Sequence, residues 1–242
     1  MGIKTTAMNC HHLVLSSVFG ILGLITLGAK GDNLGTAKEF LSAESLGDWE
    51  FISSTPTAMS AICIPGGDGI LSIAGKPIGY LATKTSRENY QLHFEWRWPA
   101  NAAKSSNGGV LIHVNSGPAG GTPWPACFQV QLKLEHAGDM IPMDSAHFAE
   151  SLTSDAKPPL VARSGNSSEK PPGEWNTGDI SCQGTSIEVR INGVLQNRVS
   201  QCAPASGKIA FQLEGAPFEL RNVRIESNSG VPAARSTSTD GH

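Results

Sequence analysis

Apolar and polar residues alternate one for one along several short stretches of the chain. Tyr90, Leu92, Phe94, Trp96 and Trp98 are separated by Gln91, His93, Glu95 and Arg97. Phe128, Val130, Leu132 and Leu134 alternate with Gln129, Gln131, Lys133 and Glu135. Val110, Ile112 and Val114 oppose Leu111, His113 and Asn115, and Ile209, Phe211 and Leu213 oppose Ala210, Gln212 and Glu214. Side chains on a strand point to opposite faces in turn, so each stretch predicts a strand with one buried and one polar face. Further strands are expected at GDWEFIS, at 61–64 and 69–74 around the turn PGGDG, and at 80–83. GEWNTGDISC, TSIEVRING, VLQNRVSQC and PFELRNVRIES complete the set, and Asn192-Gly193 signals a hairpin.

About twelve short strands, with a turn signal every ten or so residues, predict an all-β fold: one domain of two antiparallel sheets packed as a sandwich. The aromatic row must be buried, because exposing it forfeits roughly 1.5–3 kcal/mol per large side chain. The expected core holds Leu92, Phe94, Trp96, Val110, Ile112, Phe128, Val130, Leu132, Ile187, Val189, Phe211 and Leu213. No stretch carries a helical period.

Composition agrees. Among 242 residues there are 27 Gly and 15 Pro, and only 16% are charged, a turn-rich β profile. A net charge of -3 provides no basic field for nucleic acid. Lys4, the apolar run over 12–27 and the small residues Leu27-Gly28-Ala29 are expected to form an export signal over 1–29, leaving no stable membrane span once removed. Residues 30–45 read as a linker, 46–226 as the domain, and 227–242 as a disordered polar tail. Beyond the leader lie Cys63, Cys127, Cys182 and Cys202, with no C-x-x-C spacing. Cys182 and Cys202 flank a hairpin and are the likeliest bridge in an exported protein; buried thiols are the alternative.

The polar faces carry the candidate chemistry. Gln129, Gln131 and Gln212 are long amides, which both donate and accept hydrogen bonds, as sugar hydroxyls do. They are expected to share one concave face with Arg97, Asn107, His113, Lys133, Asp139 and Glu214, and Trp124 stands at its mouth. His113 or Glu214 would carry a proton, and Arg97 and Lys133 would stabilise an enolate oxygen. Gly108-Gly109 allows close approach of the backbone. Nucleophile-elbow, H-E-x-x-H, phosphate-loop and dinucleotide motifs are absent. A laminarinase-type acid pattern laid on the amide strand falls on Gln129, Gln131 and Lys133 or Leu134, none of them acidic. The residues alone leave both proton abstraction beside a carbonyl and plain sugar binding open.

EWRW, SSNGGVLIHV, the WP…QVQLK…AGD block, GEWN, VRINGVLQNR and GKIAFQLEGAPFELRNVRI, in this order, resemble the 3-keto-disaccharide hydrolase family, also called 3-keto-glucoside 1,2-lyase/3-keto-2-hydroxy-glucal hydratase. The resemblance spans roughly 49–225. It implies a concanavalin A-like sandwich, commonly exported by bacteria to the periplasm or beyond. It also implies cleavage of a glycoside oxidised at C3, by elimination and hydration. No cofactor is implied, and the sequence leaves a divalent metal open. In similar sequences Glu is usual where Gln129 stands, and Arg is frequent where His113 stands. The expected partner is a small carbohydrate or glycoside; the alternative function is a non-catalytic carbohydrate-binding module.

Overall fold

The computed structural model describes residues 2, 40–115, 124–153 and 155–227. The expected export signal and most of the tail lie outside the described residues. The strands belong to one compact unit, Ala37–His242. Among the described residues, thirteen strands and one short α-helix follow in order, after a 3-10 turn at Leu46–Asp48: β1 (Trp49–Ser53), α1 (Met59–Ile62), β2 (Cys63–Pro65), β3 (Leu71–Ile73), β4 (Gly79–Thr83), β5 (Tyr90–Arg97), β6 (Gly108–Val114) and β7 (Cys127–Gln131). Then come β8 (Met140–Met143), β9 (Asn176–Gln183), β10 (Ser186–Ile191), β11 (Val194–Val199), β12 (Lys208–Leu213) and β13 (Phe218–Ser227).

The strands make two antiparallel sheets, as expected. One has six strands in the order β1-β4-β12-β6-β7-β8; the other has seven, β11-β10-β9-β5-β13-β3-β2. All twelve expected core residues are buried in one cluster between them. Aromatic rings tie the layers: Phe94 of β5 meets Phe211 of β12 edge-on at 5.7 Å, and Trp49 of β1 stacks on Phe211 at 6.1 Å. Gly178 pairs with Phe94 across β9 and β5, and a Cβ there would lie 2.2 Å from the Phe94 ring, so only glycine leaves the ring its place. Asn192 and Gly193, with φ of 51° and 78°, form the expected tight hairpin between β10 and β11.

The domain begins earlier than 46. Leu41, inside the expected 30–45 linker, is a buried core residue bridged to Val223.

Three local departures shape the site. First, β7 ends at Gln131 rather than running to Leu134. The Gln131 Oε1 accepts the N–H groups of Leu132 and Lys133, both at 3.0 Å, where the strand gives way to a turn. Second, β8 pairs with β7 and was not expected. It is four residues long and contains Pro142, which an edge strand tolerates. Third, β6 carries a bulge. Between the pairs Leu111↔Ala210 and Val114↔Lys208, β6 has two residues and β12 has one. His113 sits in it at φ 54°, and the alternation reverses there.

The outer face of the seven-stranded sheet is a lattice of charge pairs. His93 meets Asp179 at 2.7 Å, Arg221 meets Glu95 at 2.7 Å, and Arg97 pairs with Glu219. The guanidinium carbons of Arg97 and Arg221 lie 4.6 and 4.1 Å from the centre of the Trp175 ring. Cys63, Cys127, Cys182 and Cys202 are buried free thiols, so the expected Cys182–Cys202 bridge is not formed. Burial pushes the thiols of Cys63, Cys182 and Cys202 up to about 12, which leaves them unreactive.

Candidate functional site

The outer face of the six-stranded sheet holds a cleft of about 340 Å³. Its floor comes from the two strands that flank β6: Gln129 and Gln131 from β7, and Gln212 from β12. Asn107 and Glu214 close one end, from the residues just before β6 and just after β12. Trp124, Ile141, Pro142, Met143, Asp144 and Pro158 form the remaining wall. Six of the ten expected site residues therefore meet in one place. The alternation on β7 and β12 put their amides on the same face, and the pairing of both strands with β6 brought them together.

Only a glycine between them permits this. Gly109 of β6 pairs with Gln131 on one side and Gln212 on the other. A Cβ on Gly109 would lie 2.9 Å from Gln129 Nε2 and 3.0 Å from Gln212 Oε1. The amides close over the bare backbone. Gln129 Nε2 donates to Gln131 Oε1 at 3.1 Å and to Gln212 Oε1 at 2.9 Å. Gln212 is fully covered, and its Nε2 has no hydrogen-bond partner. An unmet buried donor costs about 1–3 kcal/mol, which an acceptor placed against it would recover.

Glu214 is the half-buried ionisable group of the cleft. It accepts a hydrogen bond from Asn107 Nδ2 at 2.6 Å. Burial raises its carboxyl above the ordinary glutamate value, while Lys133 and the Asn107 hydrogen bond pull the other way. Lys133 thus reaches the site through its charge on Glu214, from the turn after Gln131. Asp144, exposed on the rim at φ 54°, is a second carboxylate there. Sequence reasoning missed it together with β8, because MIPM shows no alternation to betray a strand.

Three expected residues lie elsewhere. Arg97 is on the outer face of the other sheet, paired with Glu219. Alternation assigns a residue to a face but not to a sheet. His113 is turned into the core by the β6 bulge, edge-on to Tyr90 at 6.1 Å and to Phe128 at 6.2 Å. Its Nδ1 donates to the Pro204 carbonyl at 3.1 Å, and burial lowers its pKa, which favours the neutral ring. Asp139 is buried beyond β7. There it accepts the Arg163 N–H at 2.8 Å and faces His136 Nδ1 at 3.3 Å, holding the 161–163 segment.

A larger groove, about 450 Å³, lies around His93, Asp179, Glu188 and Arg190. His93 and Asp179 pair with each other there, as do Glu188 and Arg190. Of these two clefts, the amide cleft is the one with an unmet donor beside a carboxyl raised by burial. Among the described residues no group of three or more His, Cys, Asp or Glu is arranged to hold a metal ion. No helix among them is long and apolar enough to cross a membrane.

Two antiparallel sheets packed over one core, with a polar cleft on an outer face, define a β-sandwich. The family is equally definite: residues 36–226 match the 3-keto-alpha-glucoside-1,2-lyase-like domain, and the chain belongs to that family. No curated protein sequence matches the chain. A Parabacteroides distasonis protein provisionally assigned as a glycosyl hydrolase shares the fold at 18% identity and TM-score 0.54, over 75% of this chain and 89% of that one. The carbohydrate-binding module CBM66 from Bacillus subtilis does so at 8% identity and TM-score 0.53, over 74% and 96%. LamA of Zobellia galactanivorans, in a variant complexed with laminaritriose and laminaritetraose, does so at 14% identity and TM-score 0.50, over 74% and 92%. Identities this low establish the shared architecture.

Proposed function

We propose that this protein cleaves glycosides already oxidised to a ketone at C3, in the amide cleft, by elimination followed by hydration. The observation that carries the reading is Glu214: one carboxyl of raised pKa, held by Asn107 among amides suited to hydroxyls. Displacement at the anomeric carbon by a retaining glycosidase needs a pair of carboxylates about 5 Å apart on the flanks of the bond. The β7 positions facing the cleft are instead Gln129 and Gln131. Abstraction of a proton made acidic by a neighbouring ketone needs one base.

The steps balance as follows. Glu214 takes the C2 proton, and the C2–H electron pair forms the enolate toward the C3 carbonyl. The enolate collapses to a C1=C2 double bond, the C1–O bond breaks, and the aglycone leaves with a proton from solvent. Glu214 gives its proton up to solvent, and water adds hydroxyl at C1 and a proton at C2, giving the free 3-keto sugar and restoring the carboxylate. Lys133 contributes positive charge beside Glu214, and the amides hold the sugar hydroxyls. The apolar run over 12–27 supports export, which would place the reaction outside the cytoplasm.

A second reading rests on Gln129, an amide where the family resemblance implies Glu: the cleft binds sugar and does not turn it over. Incubation with p-nitrophenyl 3-keto-glucoside and with its unoxidised parent separates the two. The proposal expects p-nitrophenol from the keto form alone, and loss of that release in Glu214→Gln. Binding of the keto form without any release would establish the module instead.

A further inference from the structure

We infer that Gln212 is the specificity-determining residue of the cleft, donating from Nε2 to a carbonyl oxygen of the sugar. Its direction is fixed from the backbone through a one-way chain of amides. This rests on the sugar-cleft reading above.

The chain starts at β7. Two backbone N–H groups, of Leu132 and Lys133, point at Gln131 Oε1 at 3.0 Å. A backbone N–H can only donate, so that end of Gln131 must be its oxygen. Gln129 approaches the same oxygen at 3.1 Å and must therefore present its nitrogen. The same nitrogen meets Gln212 at 2.9 Å, so Gln212 must answer with its oxygen. Only one end of Gln212 is left, and it is Nε2, buried in the cleft floor with no partner. Turning any one amide over sets two donors or two acceptors against each other.

A floor of this polarity distinguishes a carbonyl from a hydroxyl. Either oxygen can accept from Nε2. A hydroxyl also brings a hydrogen that needs an acceptor. Gln131 Oε1 already takes three hydrogen bonds, and Gln212 Oε1 faces Gln129. A carbonyl brings no such hydrogen. Sites built around one hydrogen-bond pattern reject the mismatched analogue because a buried group is left unpaired. Gly109 is part of the device, since a side chain there would push Gln129 and Gln212 apart.

The test uses 1,5-anhydroglucitol and its 3-keto derivative, which carry no aglycone and so report affinity without turnover. Calorimetric titration of the wild-type protein should show the keto form bound roughly tenfold more tightly. Gln212→Met, which keeps the length and removes the donor, should weaken the keto form more than the parent sugar and so abolish the preference. Gln129→Glu tests the chain itself: a carboxylate cannot donate to Gln131 Oε1 or Gln212 Oε1, so Gln212 loses the contact that fixes its direction and the preference should fall. If the wild type binds neither sugar, the sugar-cleft reading fails. If it binds both alike, or if Gln212→Met keeps the preference, the reading stands and the role given to Gln212 is wrong. A preference unchanged in Gln129→Glu overturns the one-way chain; should that variant not fold, the Gln212→Met result decides.

Discussion

Glu214 and His113 were interchangeable as proton carriers on sequence grounds, and their surroundings separate them. Glu214 faces the cleft with burial raising its pKa; His113 faces the core with burial lowering its own. A base works only when deprotonated, so the keto-glycoside kcat/KM should rise with pH along a limb set by Glu214, above the usual glutamate range. Glu214→Gln should remove that limb and lower kcat by about 10²–10⁴, with sugar affinity retained. His113→Ala should lower Tm, at a cost of about 2–4 kcal/mol for a buried ring, and leave the pH profile of the surviving activity in place. A profile that shifts in His113→Ala but not in Glu214→Gln would reverse the assignment. The sequence made Asn107, Gln129, Gln131, Gln212 and Glu214 legible because each sits on or beside a strand whose alternation fixes its face. Arg97 had as clear an alternation and still misled, since the pattern does not say which sheet a strand joins.

At the level of elements, the site depends on two irregularities that no periodicity announces. The β6 bulge takes His113 off the outer face, and the early end of β7 brings Lys133 toward Glu214. The strap after β8 holds that end in place. Glu169 accepts the Glu135 N–H at 2.8 Å, and burial pushes its carboxyl up to about 7. The folded form thus holds its proton more tightly than the unfolded chain does, so this group's stabilising share is present at low pH. It is lost as pH rises from the ordinary glutamate value through about 7. Glu169→Gln keeps an acceptor and removes the titration. It should raise stability above pH 7 by on the order of 1–3 kcal/mol and flatten the Tm–pH curve between pH 5 and 8. An unchanged curve would show that Glu169 does not titrate in this range. Gly109→Ala acts on the opposite side of β7. With only 2.9 Å to the Gln129 side chain it should displace the amides and weaken sugar binding at least about tenfold, while the far-UV circular dichroism stays that of a β protein. Wild-type affinity in that variant would mean that the amide contacts do not set binding.

For the molecule as a whole, the sandwich followed from the twelve buried positions that the alternation named, and the order of strands did not. β12 sits between β4 and β6 through pairings far apart in the chain, which is where Gln212 acquires its partners. Among the described residues no covalent link braces the sandwich, since Cys63, Cys127, Cys182 and Cys202 are buried thiols. A reductant should leave Tm unchanged, and a fall of several degrees would reveal a bridge. The reaction itself is tested most directly by isotope. Cleavage of a 3-keto-glucoside in D₂O, stopped early and corrected against the sugar incubated without protein, reports whether the C2 hydrogen leaves. Elimination and hydration predict one deuterium at C2 of the released 3-keto sugar in wild type and no cleavage in Glu214→Gln. A released sugar that keeps its original hydrogen at C2 would mean that the bond is broken at C1 by direct displacement, and would contradict the role assigned to Glu214.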